Sequence, residues 1–283
     1  MRPLSVAVVV HAVLAGLQFG AAWLTGSAGI TASAVHVSLG AVAHFCALGG
    51  IWLSTRPPDE RHPYGYDRFE SLAALVIGML LLAGVVLIAA VALPRLLDPR
   101  PLQQTGWGAV LMVGSATANG GLFILLRAAG ERLSSRILAS EGVHALADAV
   151  TALAVLLGLV ASELGLLRLD PLVALALAAL VAWRAWTVIR AAADVLTDVA
   201  PVDVEQLRGV ASTVRGVREC HAVRSRGEAG HARVDLHIHV DPDMSVREAH
   251  GIARAVEEAL VSQVGGVAEV LVHVGAATPP ADA

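Results

Sequence analysis

Residues 71–94 read SLAALVIGMLLLAGVVLIAAVALP, and this stretch decides the fold of the chain. It contains no Asp, Glu, Lys or Arg, and its side chains are almost all apolar. A helix that crosses the hydrocarbon core of a bilayer needs about 20 apolar residues, so this stretch is long enough to span a membrane. The sequence therefore predicts a transmembrane helix at this position.

The same pattern recurs on both sides of this stretch. No charged residue lies between Pro3 and Thr55 or between Pro101 and Leu126, and only 16% of the whole chain is charged. Soluble domains carry about 25% charged residues, so the deficit indicates an α-helical polytopic membrane domain. The breaks between apolar stretches place six transmembrane helices at about residues 4–24, 30–54, 71–93, 105–128, 138–162 and 171–190.

The character of the sequence changes after Asp198. The remainder holds six of the eleven histidines, and short helical and alternating patterns replace the long apolar runs. These patterns follow the order αββαβ, which favours a small open sheet with helices on one face. The predicted parts are a membrane domain over 1–198, a small cytoplasmic α+β domain over 199–276, and a disordered tail over 277–283.

Arginines are distributed unevenly among the loops. The loops after the second and fourth predicted helices carry three arginines each, the loop after the third carries two, and the loop after the fifth carries one. Because positively charged loops stay in the cytoplasm, both termini are predicted to be cytoplasmic in a multi-pass protein of the cell membrane. The net charge of −4 argues against a nucleic-acid partner, and no nucleophile–base arrangement indicates an enzyme.

The fifth predicted helix contains ionisable side chains. His144 and Asp148 are four residues apart, so they share one face of that helix. Ionisable groups within a bilayer are functional candidates by default, and an imidazole with a carboxylate can hold a divalent metal or exchange protons. The alternative is a hydrogen-bonded pair that stabilises helix packing. We favour the metal site because an aspartate is costly to bury in a bilayer.

Histidines also occur in the first two predicted helices. His36 lies at the right depth in the second helix to face that pair, and Gly40 and His44 follow at steps of four residues. His44 lies about 12 Å along the axis from His36, too far for both to bind one ion from a straight helix. His44 is therefore predicted to be a packing or pathway residue, and His11, a lone histidine in the first helix, to be structural.

These features together resemble the cation diffusion facilitator family, whose members export zinc and related divalent cations, usually in exchange for protons. The segment HALAD at 144–148 is similar to the metal-binding pair of the family's fifth helix. The segment HPYGYDRFESLAAL at 62–75 is similar to the loop and the start of its third helix. Six spans followed by a histidine-containing αββαβ domain also fit, so the resemblance extends over nearly the whole chain.

The resemblance implies a transport site made by His36, His144 and Asp148. The family usually has a further ligand, an aspartate, one helical turn after His36, where this chain has Gly40. Zinc tolerates three protein ligands plus water, so the site can still hold this ion. The loss of a carboxylate should weaken binding and favour zinc over manganese or magnesium.

The resemblance also assigns residues at the membrane surface. Asp59 and His62 match part of an auxiliary metal site in the loop after the second helix, but Tyr66 replaces its second histidine. A neutral phenol is a poor zinc ligand, so this loop site should be weak or absent. Arg68 and Asp198 match a basic and an acidic residue that join two protomers of the family by a salt bridge.

Four histidines of the second domain match a cytoplasmic zinc cluster of the family: His221, His237, His250 and His273. Gly275 stands where a bridging aspartate often lies, and His239 shares a sheet face with the histidine two residues before it. The alternative is that all of these are ordinary surface histidines.

Two functions fit the residues and the resemblance. The first is a homodimeric antiporter that exchanges Zn²⁺ for protons, in which protonation of the histidines and Asp148 releases the metal outward. The second is a non-transporting metal sensor or assembly partner, suggested by Gly40. The expected partners are a divalent metal ion, protons, the lipid bilayer and a second copy of the chain, and the choice among divalent metals stays open.

Overall fold

The structure is a computed structural model that describes residues 2–133 and 136–277. Six long helices come first, and each is long and apolar enough to cross a membrane. Their bounds are α1 Arg2–Thr25, α2 Ala28–Ser54, α3 Arg68–Leu97, α4 Thr105–Leu133, α5 Arg136–Glu163 and α6 Leu169–Leu196. The predicted polytopic membrane domain is confirmed, and each predicted span lies inside one of these helices.

The packing of the membrane helices brings α1, α2 and α5 to one region. α1 packs against α2 and α4, α2 also packs against α3 and α5, and α4 forms an extensive contact with α5. On α5 the small residues Ala145, Ala149 and Ala152 are buried at helical spacing. Small side chains allow helices to approach closely in a membrane, so polar side chains from different helices can meet there.

A carboxylate from α6 fixes the start of α2. Asp170 is 1% exposed and accepts hydrogen bonds from the Ser27 hydroxyl and from the N–H groups of Ala28 (2.7 Å) and Gly29 (3.3 Å). The Ser27 hydroxyl accepts in turn from the N–H of Ile30 at 3.0 Å. The first N–H groups of a helix have no partner within it, so these contacts satisfy the start of α2 with a negative charge.

We expect Asp170→Ala to lower the free energy of unfolding of the membrane domain by at least about 2 kcal/mol, because the donors at the start of α2 lose a charged acceptor. Unfolding by titration with dodecyl sulfate in mixed micelles measures this change. Asp98→Ala is the matched control, since that side chain is 71% exposed in an ion pair with Arg100. The control should cost less than about 1 kcal/mol. Equal stability of the Asp170→Ala variant and the wild type would contradict this role.

The second unit contains two shorter helices and a three-stranded sheet. Their bounds are α7 Val204–Thr213, β1 Glu219–Glu228, β2 His231–Val240, α8 Val246–Gln263 and β3 Val267–Ala276. β1 and β2 form an antiparallel hairpin, and β3 joins β2 in parallel after the α8 crossover, which gives the sheet order β1-β2-β3. The predicted order αββαβ is therefore confirmed.

The two faces of this sheet differ in character. Leu236 and Ile238 of β2 are buried in one core with Leu260 of α8. His237 and His239 alternate with them and are partly exposed on the opposite face. Successive side chains of a strand point to opposite faces, so the helices of this unit cover one face and the histidines lie on the other.

The chain divides into two compact units between Arg190 and Ala191, and α6 continues across this boundary. The boundary predicted after Asp198 lies just past the end of α6. Of the predicted disordered tail, residues 278–283 lie outside the described residues. Ala277 is described and donates its N–H to the carbonyl of Val240 at 2.9 Å.

Candidate metal centres

The first candidate site is centred on Asp148 of α5, whose side chain is 4% exposed. Nε2 of His36 lies 3.5 Å from its Oδ1, and Nε2 of His144 lies 3.8 Å from its Oδ2. Nε2 of His11, from α1, lies 3.3 Å from Oδ2. His36 and His144 therefore both approach the carboxylate of Asp148, as predicted for the transport site, and His11 joins them. We refer to these four residues as the intramembrane cluster.

A cavity of about 90 Å³ opens beside the intramembrane cluster. Its polar wall is formed by His11, His44, Glu141, His144 and Asp148, and apolar side chains make up most of the remainder. A buried water needs about 10–15 Å³ of such space, so the cavity has room for a cation that keeps some water. A cation in it can reach the carboxylate of Asp148.

Two buried polar atoms of the cluster have no hydrogen-bond partner among the residues that the structure describes. They are Oδ1 of Asp148 and Nδ1 of His36. Buried polar atoms are nearly always satisfied, and Oδ1 has only the longer contact of 3.5 Å with Nε2 of His36. Carboxylate oxygen and imidazole nitrogen are both zinc ligands, so the donor set suits a metal ion at this point.

Gly40 of α2 borders the same cavity. A Cβ built on this residue would have one atom within 4 Å across the described part of the chain, Nε2 of His144 at 3.9 Å. Glycine in a membrane helix often allows two backbones to approach, but no described backbone atom of another helix lies within 4 Å of this Cβ. Gly40 therefore leaves space beside the cluster and faces it, as the spacing from His36 predicts.

His44 pairs with Glu141, a residue outside the predicted sites. Its Nε2 lies 3.0 Å from Oε1 of Glu141, and its Nδ1 lies 2.7 Å from the carbonyl of Gly40. Glu141 precedes His144 by three residues and so shares its helix face, which was a signal available in the sequence. The position of His44 in the cavity wall fits a pathway residue, and this role stays a prediction.

His11, predicted to be a structural residue, lies beside the residues predicted for the transport site. Besides the contact with Asp148, its ring centroid lies 6.4 Å from that of His144. Oδ1 of Asn119 on α4 also lies 3.2 Å from its Nε2. Because His11 lies on α1 and Asp148 on α5, no regular spacing in the sequence links the two residues. The signal that could have found His11 is its place in a charge-free span, where ionisable groups are rare.

The residues of the predicted loop site are engaged with one another. Tyr66 donates its hydroxyl to Oδ2 of Asp59 at 2.6 Å, and Oδ1 accepts from the N–H of His62 at 2.7 Å. The hydrogen bond from Tyr66 is the main cause that lowers the pKa of Asp59, and it raises the pKa of Tyr66. Nδ1 of His62 lies 3.5 Å from Oδ1 of Asp59. Because the phenol already binds one carboxylate oxygen, the arrangement favours a weak or absent loop site.

The second candidate site lies on the histidine face of the sheet. Strand pairing places His221 opposite His237 and His237 opposite His273, with ring centroids 5.4 Å and 4.6 Å apart. Burial, and then the neighbouring His273, lower the pKa of His237. Its imidazole is therefore neutral at neutral pH, as a metal ligand must be. Three of the four predicted histidines thus form one row across the sheet.

A second row adds a carboxylate to this site. Nδ1 of His239 lies 3.3 Å from Oε2 of Glu219, and the ring of His239 lies 4.7 Å from that of His221. Glu219, His221 and His239 each offer a ligand atom within 4.8 Å of the others. A Cβ on Gly275 would lie 3.0 Å from Cδ2 of His239, so the glycine gives this ring its room. We refer to Glu219, His221, His237, His239 and His273 as the cytoplasmic cluster.

His250, the fourth predicted histidine, is not brought into this cluster. It is exposed on α8, and within 2–133 and 136–277 it makes no hydrogen bond, ion pair or ring contact with the sheet histidines. The physical reason is the layer order, because α8 packs through Val256 and Leu260 on the other face of the sheet. His239 and Glu219 take the place that the prediction gave to His250.

Arg68 and Asp198 lie at the ends of membrane helices. Arg68 is the first residue of α3, and Asp198 follows α6 with a φ of 57°. The predicted salt bridge joins two copies of the chain, so it stays a prediction.

The chain matches two family profiles. Residues 4–197 match the cation efflux transmembrane domain, and residues 199–276 match the cation efflux protein, cytoplasmic domain. An uncharacterised transporter of Synechocystis sp. is 28% identical over 257 residues, which cover 89% of this chain and 82% of that protein. Metal tolerance protein C1 of Arabidopsis thaliana is 29% identical over 270 residues, which cover 89% of this chain and 57% of that protein. Cation-efflux pump FieF of Cronobacter sakazakii is 28% identical over 269 residues, which cover 94% of this chain and 89% of that protein.

Proposed function

Because the chain belongs to the cation diffusion facilitator family of divalent cation efflux transporters, we propose that it exports Zn²⁺ from the cytoplasm in exchange for protons. It works as a homodimer in the cell membrane, with both termini in the cytoplasm. The observation that carries the proposal is the carboxylate of Asp148, which is buried in a transmembrane helix with three imidazole nitrogens within 3.8 Å.

The donor set is the reason to propose zinc. His36 and His144 offer imidazole nitrogen, and Asp148 offers the carboxylate oxygen of the intramembrane cluster. Zinc accepts mixed nitrogen and oxygen ligands in a four-coordinate site. Magnesium and manganese prefer sites built from oxygen, so the cluster should discriminate against them.

The same nitrogens are the reason to propose proton exchange. An imidazole nitrogen cannot hold a proton and a metal ion at once, so metal binding and protonation compete at the cluster. Histidine titrates near neutral pH, which favours loading from a neutral cytoplasm and release at a more acidic outer side. The paired side chains of His44 and Glu141 lie in the cavity wall and can pass protons from the cluster out of the cavity.

Proteoliposomes with an acidic interior test this function. Zn²⁺ added outside should accumulate inside, and the interior should become less acidic at the same time. An ionophore that dissipates the pH gradient should stop the accumulation. Zinc uptake that is indifferent to the gradient would refute proton exchange.

A second function has one observation in its favour. Gly40 lacks the carboxylate that the family usually places one turn after His36, and a weakened core could sense metal without moving it. In the same proteoliposomes this alternative gives zinc binding to the protein without uptake.

We propose that the cytoplasmic cluster binds a further zinc ion that strengthens the dimer. Glu219→Gln combined with His239→Ala should then lower the zinc bound per chain by about one ion, since a four-coordinate site would lose two protein ligands. Equilibrium dialysis of the purified full-length protein measures the stoichiometry. His231→Ala, at an exposed position beside the β1–β2 turn, is the control and should change nothing. An unchanged stoichiometry in the double variant would make these residues ordinary surface groups.

Two surface assignments complete the proposal. Arg68 of one protomer pairs with Asp198 of the other, because a bidentate arginine–carboxylate pair gives a firm contact at the membrane surface. Asp59 and His62 act at most as a weak cation site at the cytoplasmic loop.

A further inference from the structure

We infer that His11 of α1 is a direct ligand of the transported cation and supplies the fourth protein donor that Gly40 does not. The inference rests on the proposed function, because it requires that a cation binds at Asp148. It changes the composition of the transport site from three protein ligands to four, with donors from α1, α2 and α5.

His11 and His144 approach Oδ2 of Asp148, and His36 approaches its Oδ1. The imidazole nitrogen nearest to the carboxylate of Asp148 is Nε2 of His11 at 3.3 Å, followed by those of His36 at 3.5 Å and His144 at 3.8 Å. Ligand atoms bound to one tetrahedral zinc ion at bonds of about 2.1 Å lie about 3.4 Å apart. His11 therefore fits the spacing of a ligand at least as well as the two histidines that sequence spacing identified.

The surroundings of His11 hold its ring toward the site. Oδ1 of Asn119 lies 3.2 Å from Nε2, and Nδ2 of Asn119 donates to the carbonyl of Ser115 at 3.1 Å. Asn119 and Ser115 are each 1% exposed, and Gln18 donates to the Ser115 hydroxyl at 3.0 Å. This buried hydrogen-bond network fixes the position of His11, whose ring lines the cavity beside the carboxylate. Because Oδ1 of Asn119 faces the same nitrogen that binds the ion, this contact is exchanged for the cation when the site is loaded.

The position of Gly40 explains why the extra ligand comes from α1. Glycine contributes no donor from α2 at this turn, and it leaves the cavity open on the side of His144. His11 brings a neutral nitrogen donor where an aspartate would bring a negative oxygen. Three imidazoles and one carboxylate carry a single negative charge, so the site should favour zinc, cobalt and nickel over manganese and magnesium.

The alternative is that His11 only positions Asp148 through their contact, and cobalt spectroscopy separates the two roles. The full-length protein is titrated with Co²⁺ and Zn²⁺, and the difference between wild type and Asp148→Asn defines the signal of the intramembrane cluster. His11→Gln should lower the zinc affinity of the intramembrane cluster by at least about tenfold. Loss of a group that only orients a ligand already lowers metal affinity by about that factor, and loss of the ligand itself should cost no less. The cobalt absorption should also lose the intensity of a four-coordinate site. His231→Gln, at an exposed histidine outside the membrane domain, should leave the spectrum unchanged.

A carboxylate at the same place gives the second arm of the test. His11→Asp should keep zinc binding and strengthen manganese binding relative to zinc, because it restores a ligand of harder character. If neither variant folds, X-ray absorption of the wild type minus Asp148→Asn should count three imidazoles around zinc. A count of two would overturn the inference, and so would a cobalt spectrum and zinc affinity of His11→Gln that match the wild type. If Asp148→Asn itself binds zinc like the wild type, the proposed function fails together with the inference. If only His11→Gln binds zinc like the wild type, the inference alone fails.

Discussion

Asp148→Asn should reduce zinc flux in proteoliposomes to the level of vesicles without protein. Asp148 is the carboxylate at the centre of the intramembrane cluster, and all three imidazole nitrogens face its oxygens. The amide has nearly the same shape but no negative charge, so the fold is retained while the ion loses its one anionic ligand. Loss of groups that only orient ligands costs about 10–100-fold in metal affinity, and loss of this ligand should exceed that range.

Glu163→Gln is the matched control for that experiment. Glu163 ends the same helix, is exposed and accepts a hydrogen bond from Thr105, far from the cavity. Its variant should transport zinc at the rate of the wild type. Undiminished flux through Asp148→Asn would remove the transport site from this position.

Gly40→Asp should raise zinc affinity by about tenfold or more, for which a gain of about 1.4 kcal/mol suffices. The new carboxylate has room, since the nearest atom to its Cβ would be Nε2 of His144 at 3.9 Å. It adds a negative charge where the dielectric is low, and a hard oxygen donor that should relax selectivity toward manganese. In a His11→Gln background the same change should recover most of the lost binding, because one donor replaces the other.

Zinc and manganese titrations of the purified variant measure these effects, and thermal unfolding checks the fold. Gly40→Asn is the matched control, because it has the same size and no charge. If Gly40 served helix packing, both variants would lower stability equally and neither would bind more tightly. That outcome would contradict the position given to Gly40 and would favour the non-transporting function.

The sequence predicts those parts of the proposed transport site that lie on single helices. His144 and Asp148 share a face of α5 because they are four residues apart, and His36 and Gly40 share a face of α2 for the same reason. His11 could not be found in this way, because its contact with Asp148 depends on how α1 packs in the bundle. Spacing within a helix fixes which side chains share a face, whereas contacts between helices follow from their packing.

The cytoplasmic domain shows the same division between pattern and pairing. The alternation along β2 predicts that His237 and His239 share a face. The partnership of His239 with Glu219 depends on the register of the β1–β2 hairpin, which also shifts between His221 and Arg224. Because a change in register of one residue would move Glu219 to the other face, its role could not be predicted from local sequence.

A zinc-bound structure of the full-length protein, with anomalous scattering recorded at the zinc edge, shows whether the ion binds at Asp148. We expect an anomalous peak in the membrane domain at about 2.0–2.2 Å from an oxygen of Asp148 and from Nε2 of His36 and His144. Zinc peaks confined to the cytoplasmic cluster, with none at Asp148, would contradict it.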